Sequence, residues 1–253
     1  MKNNKIALVT GGSRGLGKDM AIKLAKKGID VMITYLTNEQ LANDVVTTIQ
    51  DNGQKAKAFQ LDVSNTKAFE DFFNQLSSYL NKTYGNPNFD FLINNAGTGI
   101  SQSIVETSEE QFNTMLNIHF KGVYFLTQKA LPFINNHGGI INISSGLTRF
   151  SFPGMSTYAC MKGAIEIFSR YLAKELGSRK ITSNVVAPGA IATDFAGGTN
   201  RDNQEKRQTI SNITALGKVG EAENIGGIVA FLCTKDASWV NGQRIEVSGG
   251  MLL

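Results

Sequence analysis

Short runs of β-branched and aliphatic residues alternate with longer amphipathic stretches along almost the whole chain. The runs at 6–10, 31–34, 56–61, 91–94, 140–144, 182–186 and 244–247 have strand length, and most are apolar at odd and even positions alike. Strands of that kind are buried on both faces, the condition of a parallel sheet covered by helices. Between them apolar residues recur at helical spacing, as in Leu16, Met20 and Leu24, and again in Ile165, Phe168, Leu172 and Leu176. Strand–helix alternation implies right-handed crossovers. It predicts an α/β, doubly wound sandwich with a seven-stranded, mostly parallel sheet flanked by helices on both faces.

No linker, low-complexity tract or internal repeat divides the chain, so one domain is expected over residues 1–253. The pattern lapses once, in the polar stretch from 197 to 211, which reads as a mobile loop or short helices. A mobile substrate segment is therefore expected within 193–215.

Composition narrows the function classes. The chain is 42% hydrophobic and 18% charged, with 26 Gly against 4 Pro, which suits tight strand–helix turns rather than disorder. The net charge of +4 comes from dispersed basic residues, so neither nucleic-acid nor membrane binding is expected. Cys160 and Cys233 share no ligand spacing with a histidine, and no metal site is expected. Two reduced thiols, a strand-like run starting by residue 6, and an apolar stretch of only 225–233 point to the cytoplasm.

The first run leads into Thr10-Gly11-Gly12-Ser13-Arg14-Gly15-Leu16-Gly17, and a helix follows. Glycines in that place let the backbone approach a pyrophosphate, whose charge then sits at a helix N-terminus. The sheet is thus expected to be Rossmann-type and to hold a dinucleotide. At the end of the second run, Tyr35-Leu36-Thr37-Asn38 offers no carboxylate to hold a ribose 2′-hydroxyl, and Arg14 is available to a 2′-phosphate. NADP(H) is favoured over NAD(H).

Tyr158 and Lys162 stand four residues apart, one turn of a helix, so a phenol and an ammonium share a face. A fixed cation beside a phenol lowers a pKa that is ordinarily near ~10, and suits it to proton exchange with an alcohol or carbonyl. In Tyr158-x-x-x-Lys162, Cys160 falls on another helix face, where buried packing is expected. Trp239 is expected in the core or at an interface. His119 and His137 have no nucleophile near them in sequence, so a serine-hydrolase triad lacks support.

Taken in order, Thr10 to Gly17, Leu61-Asp62-Val63, Asn94-Asn95-Ala96-Gly97, Asn117, Ser144-Ser145, Tyr158 with Lys162, Pro188-Gly189 and Val247-Ser248-Gly249-Gly250 resemble the short-chain dehydrogenase/reductase family, in its compact single-domain branch. The likeness runs over essentially the whole chain and includes the 3-oxoacyl-thioester reductases. It implies a catalytic set of Asn117, Ser145, Tyr158 and Lys162. Ser145 would orient the substrate oxygen, Tyr158 would exchange its proton, Lys162 would assist Tyr158 and bond the nicotinamide ribose, and Asn117 would hold a relay water. It also implies cofactor contacts from Gly11, Ser13, Arg14, Gly15, Leu16, Gly17 and Tyr35, from Asp62 and Val63 at the adenine, and from Asn95, Ala96 and Gly97 at its ribose. Pro188, Gly189, Ile191 and Thr193 would meet the nicotinamide side. A homotetramer is implied, with the Tyr158 helix partly at a contact; the stripe from Ile165 to Leu176 equally fits burial within one subunit.

The expected activity is interconversion of a carbonyl and a secondary alcohol with NADP(H), on a small-molecule substrate met by 98–103, 149–155 and the loop after Thr193. Phe150, Phe152, Met155 and Phe195 suggest a partly apolar pocket. One departure counts against an acyl-carrier-protein partner: Asn135-Asn136-His137-Gly138-Gly139 is neutral where such reductases carry a basic cluster, although Arg179 and Lys180 remain. The alternatives are an NAD-dependent alcohol or sugar dehydrogenase, a sugar-nucleotide epimerase or dehydratase, and a catalytically silent dinucleotide-binding regulator.

Overall fold

Every apolar run becomes a strand in the computed structural model, which describes residues 4–253. The strands are β1 (Ile6–Val9), β2 (Asp30–Tyr35), β3 (Ala56–Gln60), β4 (Phe89–Asn94), β5 (Ile134–Ile143), β6 (Thr182–Pro188) and β7 (Arg244–Val247). They form one sheet in the order β3-β2-β1-β4-β5-β6-β7. Each neighbouring pair runs parallel, so the sheet is wholly rather than mostly parallel. The cause is that a helix-bearing crossover joins each strand to the next. β5 begins earlier than expected. Its first residues pair through a register shift opposite Phe89 and Phe91.

The helices are α1 (Gly15–Lys26), α2 (Glu39–Asp51), α3 (Phe69–Tyr84), α4 (Glu109–Leu116), α5 (Gly122–Ala130), α6 (Ser156–Glu175), α7 (Thr199–Asp202), α8 (Gln204–Asn212) and α9 (Glu223–Leu232). α1, α2 and α9 cover one face of the sheet, over Val9, Val31 and Ile33. α3, α5 and α6 cover the other, over Leu8, Met32 and Leu92. Each such side chain, removed from water, contributes about 1.5–3 kcal/mol. The stripe on α6 is used within the chain: Ile165, Leu172 and Leu176 are buried and Phe168 is partly so. The polar stretch after 197 folds as α7 and α8, the second of the two forms expected for it. Among the described residues, no helix is long and apolar enough to cross a membrane.

One expectation fails, and another loses one of its two alternatives. Cys160 is exposed, because the buried side of α6 is defined by Tyr158, Met161, Lys162 and Ile165, and its position falls outside that arc. Trp239 is 97% exposed, on the turn before β7, which excludes it from the core.

A line of buried polar groups crosses the sheet beneath the C-terminal strand ends. Asn94 Nδ2 donates to Asn142 Oδ1 at 2.7 Å and to Thr127 Oγ1 at 3.0 Å. Asn142 Nδ2 donates to Ser169 Oγ at 2.8 Å, and that hydroxyl donates to the Ile165 carbonyl. The line ties β4 and β5 to α5 and α6 at a fixed height, because sliding either helix would strand amides that are shielded from water. Replacing Asn142 by the near-isosteric leucine leaves an Asn94 hydrogen and a Ser169 lone pair unpaired, at about 1–3 kcal/mol. Asn142→Leu is expected to lower the thermal midpoint by about 2–4 °C for each kcal/mol lost. A melting curve superimposable on that of the unsubstituted protein would contradict this.

Candidate active site

The chain turns sharply after β1, and that turn is built to bring backbone close to something else. Gly11 has φ +64°, and a Cβ there would lie 2.8 Å from Ala96 Cα. At Gly17, in the first turn of α1, a Cβ would lie 2.1 Å from the Gly11 carbonyl oxygen and 2.5 Å from Asn95 Nδ2. Arg14, the residue before α1, lends no side-chain cap, so Gly15, Leu16 and Gly17 open the helix with backbone N–H groups free of one. Asn95 holds the turn from the next strand, donating to Thr10 O at 2.9 Å and Gly11 O at 3.1 Å. The Asn95 and Ala96 amides both donate to Thr10 Oγ1. The amide nitrogen of Asn95 is therefore engaged by the turn. A dinucleotide pyrophosphate suits this turn, because the glycines let it close tightly and the backbone N–H groups that open α1 have no side-chain cap.

The other expected cofactor residues gather along the same C-terminal strand edge. Tyr35 ends β2 and is buried, and its carbonyl accepts from Leu61 N–H. Asp62 follows β3; one carboxylate oxygen accepts from the Ser64 amide and hydroxyl, and the residue is exposed. Val63 packs against α5, where a Cβ on Gly122 would meet the Val63 carbonyl at 2.0 Å. Pro188 closes β6, Gly189 passes within reach of Ser248, and Ile191 bridges to Gly220. Thr193 abuts Gly15 and accepts from the Phe195 amide at 3.3 Å. Ser13 lies within the turn, partly buried. Arg14 is exposed, 3.9 Å from Asp194 Oδ2.

Opposite the turn, α6 carries Tyr158 and Lys162 inward. Both are buried, at 8% and 5% exposure. Lys162 Nζ donates to the Ile143 carbonyl at 2.7 Å, which fixes α6 to the end of β5, and lies 5.5 Å from the centre of the Tyr158 ring. Burial pushes Lys162 down to about 8, because an ammonium loses more than an amine when water is removed. The same burial pushes the Tyr158 phenol up, and the Ser145 hydroxyl, bonding to it, works in the other direction. Ser145 sits at the end of β5, where its hydroxyl also accepts from the Leu147 amide at 3.2 Å. Behind it Glu166 accepts from Ser144, Thr148 and Arg244 at 2.7, 2.7 and 2.8 Å. Arg244 reaches on to the Ser145 carbonyl. That ion-paired bracket holds the Ser145 loop against α6 and β7.

Asn117 is brought near this group less directly than expected. It opens a π-helical turn, Asn117–Lys121, between α4 and α5, and its carbonyl accepts from the Gly122 amide. Its side chain takes no part in the hydrogen bonds that hold Tyr158 and Lys162. The residue that does face them is His119, 1% exposed, with its ring edge-on to Tyr158 at 5.0 Å. Its Nε2 is 2.7 Å from the Thr98 carbonyl, and its Nδ1 is buried without a partner. Burial, with the Lys162 charge beside it, lowers its pKa to about 3. Helical spacing in the sequence carries no sign of this turn, since Met115 and Val123, eight residues apart, fit an unbroken α-helix.

Over Tyr158 lies Phe195, ring centres 5.5 Å apart. Phe195 and Ala196 also close on Gly99. Met155 joins Met115, Tyr158 and Met161 in one apolar cluster, whereas Phe150 packs into another with Ile210, Val219 and Met251. Gln102 N–H donates to the Gly154 carbonyl, joining the 98–103 and 149–155 segments into one rim.

The chain is similar to proteins of known kind over nearly its whole length. The family profile described as enoyl-(acyl carrier protein) reductase matches residues 11–252. The chain belongs to the short-chain dehydrogenase/reductase family. Among the relatives, a hydroxynaphthalene reductase-like protein of Metarhizium majus is 33% identical, over 97% of this chain and 94% of its own. An uncharacterized oxidoreductase of Methylorubrum extorquens is 36% identical, over 98% and 97%. An angucycline C-6 ketoreductase solved with bound NADP superposes with a TM-score of 0.93 at 37% identity, over 98% of this chain and 95% of its own. A reductase catalysing keto-reduction at C1 in lugdunomycin biosynthesis matches at 0.93 and 35%, over 98% of each. This short-chain dehydrogenase/reductase is thus an NAD(P)-dependent oxidoreductase acting between carbonyl and alcohol.

The glycine cradle is open to a direct test. Gly17→Ala is expected to weaken NADPH binding more than tenfold (roughly 1.4 kcal/mol or more), because the added methyl drives the Gly11 carbonyl out of the turn. Titration of nicotinamide fluorescence reads this. Unchanged affinity would mean that the pyrophosphate lies elsewhere.

Proposed function

We propose that the protein reduces the carbonyl of a small, largely apolar ketone with NADPH, using Tyr158 as proton donor. The observation that carries this is the pairing of Tyr158 and Lys162, buried side by side at the strand ends beside the glycine turn. When bound, the dihydronicotinamide supplies a hydride to the carbonyl carbon. Ser145 donates a hydrogen bond to the substrate oxygen and holds it at Tyr158, whose O–H proton passes to that oxygen as charge develops on it. Lys162 favours the phenolate left behind, and with a pKa near neutrality it exchanges protons readily. Phe195, Met155 and Tyr158 keep water from the reacting carbon.

NADP(H) is supported by the absence of a carboxylate at the end of β2 and by exposed Arg14, whose neighbour is Asp194 in the segment over the site. The apolar rim, together with relatives and neighbours named for hydroxynaphthalene and angucycline reduction, supports an aromatic or polycyclic ketone. An acyl-carrier-protein partner is disfavoured further. Arg179, one of the two basic residues left near 135–139, is bound to the Leu131 and Ile134 carbonyls and to Asn136. We read the protein as a cytoplasmic homotetramer; Tyr124 and Phe125 of α5 and Ile167 and Tyr171 of α6 offer exposed apolar surface for a contact.

Tyr158→Phe is expected to lower kcat on a panel of aromatic ketones at least 100-fold, in line with loss of a general acid, with NADPH affinity within about twofold. Turnover near that of the unsubstituted enzyme would exclude Tyr158 as donor. Comparison of kcat/KM for NADPH and NADH is expected to favour NADPH at least tenfold, and Arg14→Ala to erase most of the preference, since one charge-assisted contact is worth about 1.5–3 kcal/mol. A preference for NADH would reverse the cofactor assignment.

A further inference from the structure

Glu166 is a shielded carboxylate on α6 that the proposed reduction does not itself use. It bonds to neither Tyr158 nor Lys162, yet one of its oxygens collects three donors: Ser144 Oγ at 2.7 Å, Thr148 Oγ1 at 2.7 Å and Arg244 Nε at 2.8 Å. Ser144 and Thr148 stand on either side of Ser145 in the chain. The Thr148 hydroxyl has one hydrogen, and the charged oxygen at 2.7 Å takes it in preference to the Ser145 carbonyl at 2.9 Å. That carbonyl is then held by Arg244, which reaches it at 3.3 Å, and by the Thr148 amide at 3.3 Å. These bonds matter because the segment has little to hold itself. Ser145 is extended, with φ −157° and ψ 151°, and only a single 3₁₀ turn, Gly146–Thr148, follows it. One such turn is marginal without bonds from outside.

We infer that Glu166 and Arg244 are positioning residues of the reduction: from α6 and β7 they fix the Ser145 hydroxyl at the Tyr158 phenol, and so set where the substrate oxygen is held. The inference rests on the reductase reading above. Tyr158 and Glu166 ride on one helix, about two turns apart. Proton donor and clamp thus share a rigid frame, and the hydroxyl that orients the substrate is referred to the same frame. The pair is shielded, with side chains 13% and 24% exposed, so it escapes much of the screening that makes surface pairs weak. Arg244 is paired twice, because its second nitrogen donates to Glu246 at 2.9 Å. Arg149, hydrogen-bonded to Glu246, holds that carboxylate down to about 2, so it is anionic across the neutral range. Loss of Glu166 therefore leaves Arg244 with a partner, and turns it from Ser145 toward Glu246. The fold survives while the Ser145 segment is released. Reaction geometry is sensitive on that scale, since a misplacement of about 1 Å costs about 100-fold in rate.

A double-mutant cycle separates this role from a contribution to stability alone. Glu166→Leu removes the acceptor at similar volume; Glu166→Gln keeps an oxygen for Ser144 and Thr148. With NADPH and the aromatic ketone panel, Glu166→Leu is expected to lose about 100-fold in kcat, with NADPH affinity within about twofold. Glu166→Gln should recover to within about tenfold of the unsubstituted enzyme. In a Ser145→Ala background, adding Glu166→Leu should lower kcat by no more than about twofold further, because the hydroxyl it positions is already gone. Full activity in Glu166→Leu, equal losses in the Leu and Gln variants, a loss that tracks cofactor affinity, or losses that multiply in the double variant would each overturn the role. If the unsubstituted enzyme oxidises no NADPH with any ketone, the reductase reading fails instead, and amide hydrogen exchange still decides the placement of Ser145. The Leu147, Thr148, Arg149 and Phe150 amides all donate to Ser145 or Gly146. Glu166→Leu is expected to speed their exchange at least tenfold, roughly 1.4 kcal/mol of lost protection, and unchanged exchange sinks the assignment.

Discussion

The site depends on how α6 is held at one height against β5. Lys162 reaches the Ile143 carbonyl, and two turns further along Ser169 meets Asn142, which in turn meets Asn94 on β4. Apolar burial is non-directional, so by itself it sets the height of a helix over a sheet less sharply than directional bonds do. Buried amides are not indifferent, since each has one geometry that satisfies it. The line therefore converts a greasy interface into a located one, and Tyr158 inherits its position. Asn94 Oδ1 is left without a partner, so the line carries a small defect at its β4 end.

Electrostatics at the site is governed by the removal of water. Tyr158, Lys162 and His119 are each displaced toward their neutral forms by burial. A phenol that resists ionising and an ammonium that resists staying charged are poor partners for a resting ion pair. They are good partners for exchange, since neither form of Lys162 is deeply favoured near neutral pH. Ser145 tips the phenol the other way, and its own position is fixed by the Glu166–Arg244 bracket. β7 thus bears on the Ser145 loop through Arg244. Arg149 and Glu246 extend the bracket to the Met251 and Leu252 carbonyls, so the C-terminal residues brace the same loop.

What could be read from the sequence was what local spacing encodes. The strands were legible because parallel burial makes both faces apolar, and the glycine turn because a close backbone approach excludes a Cβ. Tyr158 and Lys162 were legible because an unbroken helix keeps i and i+4 on one face. Asn117 and His119 were not separable that way. A π turn inserts a residue into the helical count, and the inward-facing position moves with it. Cys160 illustrates the converse: counting correctly took it off the Tyr158 face, yet whether that other face is covered depends on neighbours far away in sequence. Trp239 is similar, an aromatic for which no local pattern decides between the core, from which its exposure excludes it, and other surroundings.

Reaction and substrate are specified by different parts of the chain, which explains why the first is readable and the second is not. The chemistry we propose rests on strand ends and on α6, held by buried hydrogen bonds whose loss is costly. The rim comes from 98–103, 149–155 and the α7–α8 segment, joined by the Gln102–Gly154 bond and by Phe195 over Tyr158. Those contacts are apolar or backbone-mediated, and apolar surfaces tolerate exchange of one shape for another at modest cost. Asp194 connects the two parts, since it meets Arg201 within the rim and approaches Arg14 in the glycine turn. A phosphate drawn to Arg14 would compete with that carboxylate, so cofactor and rim share one charge balance even though they share no catalytic group.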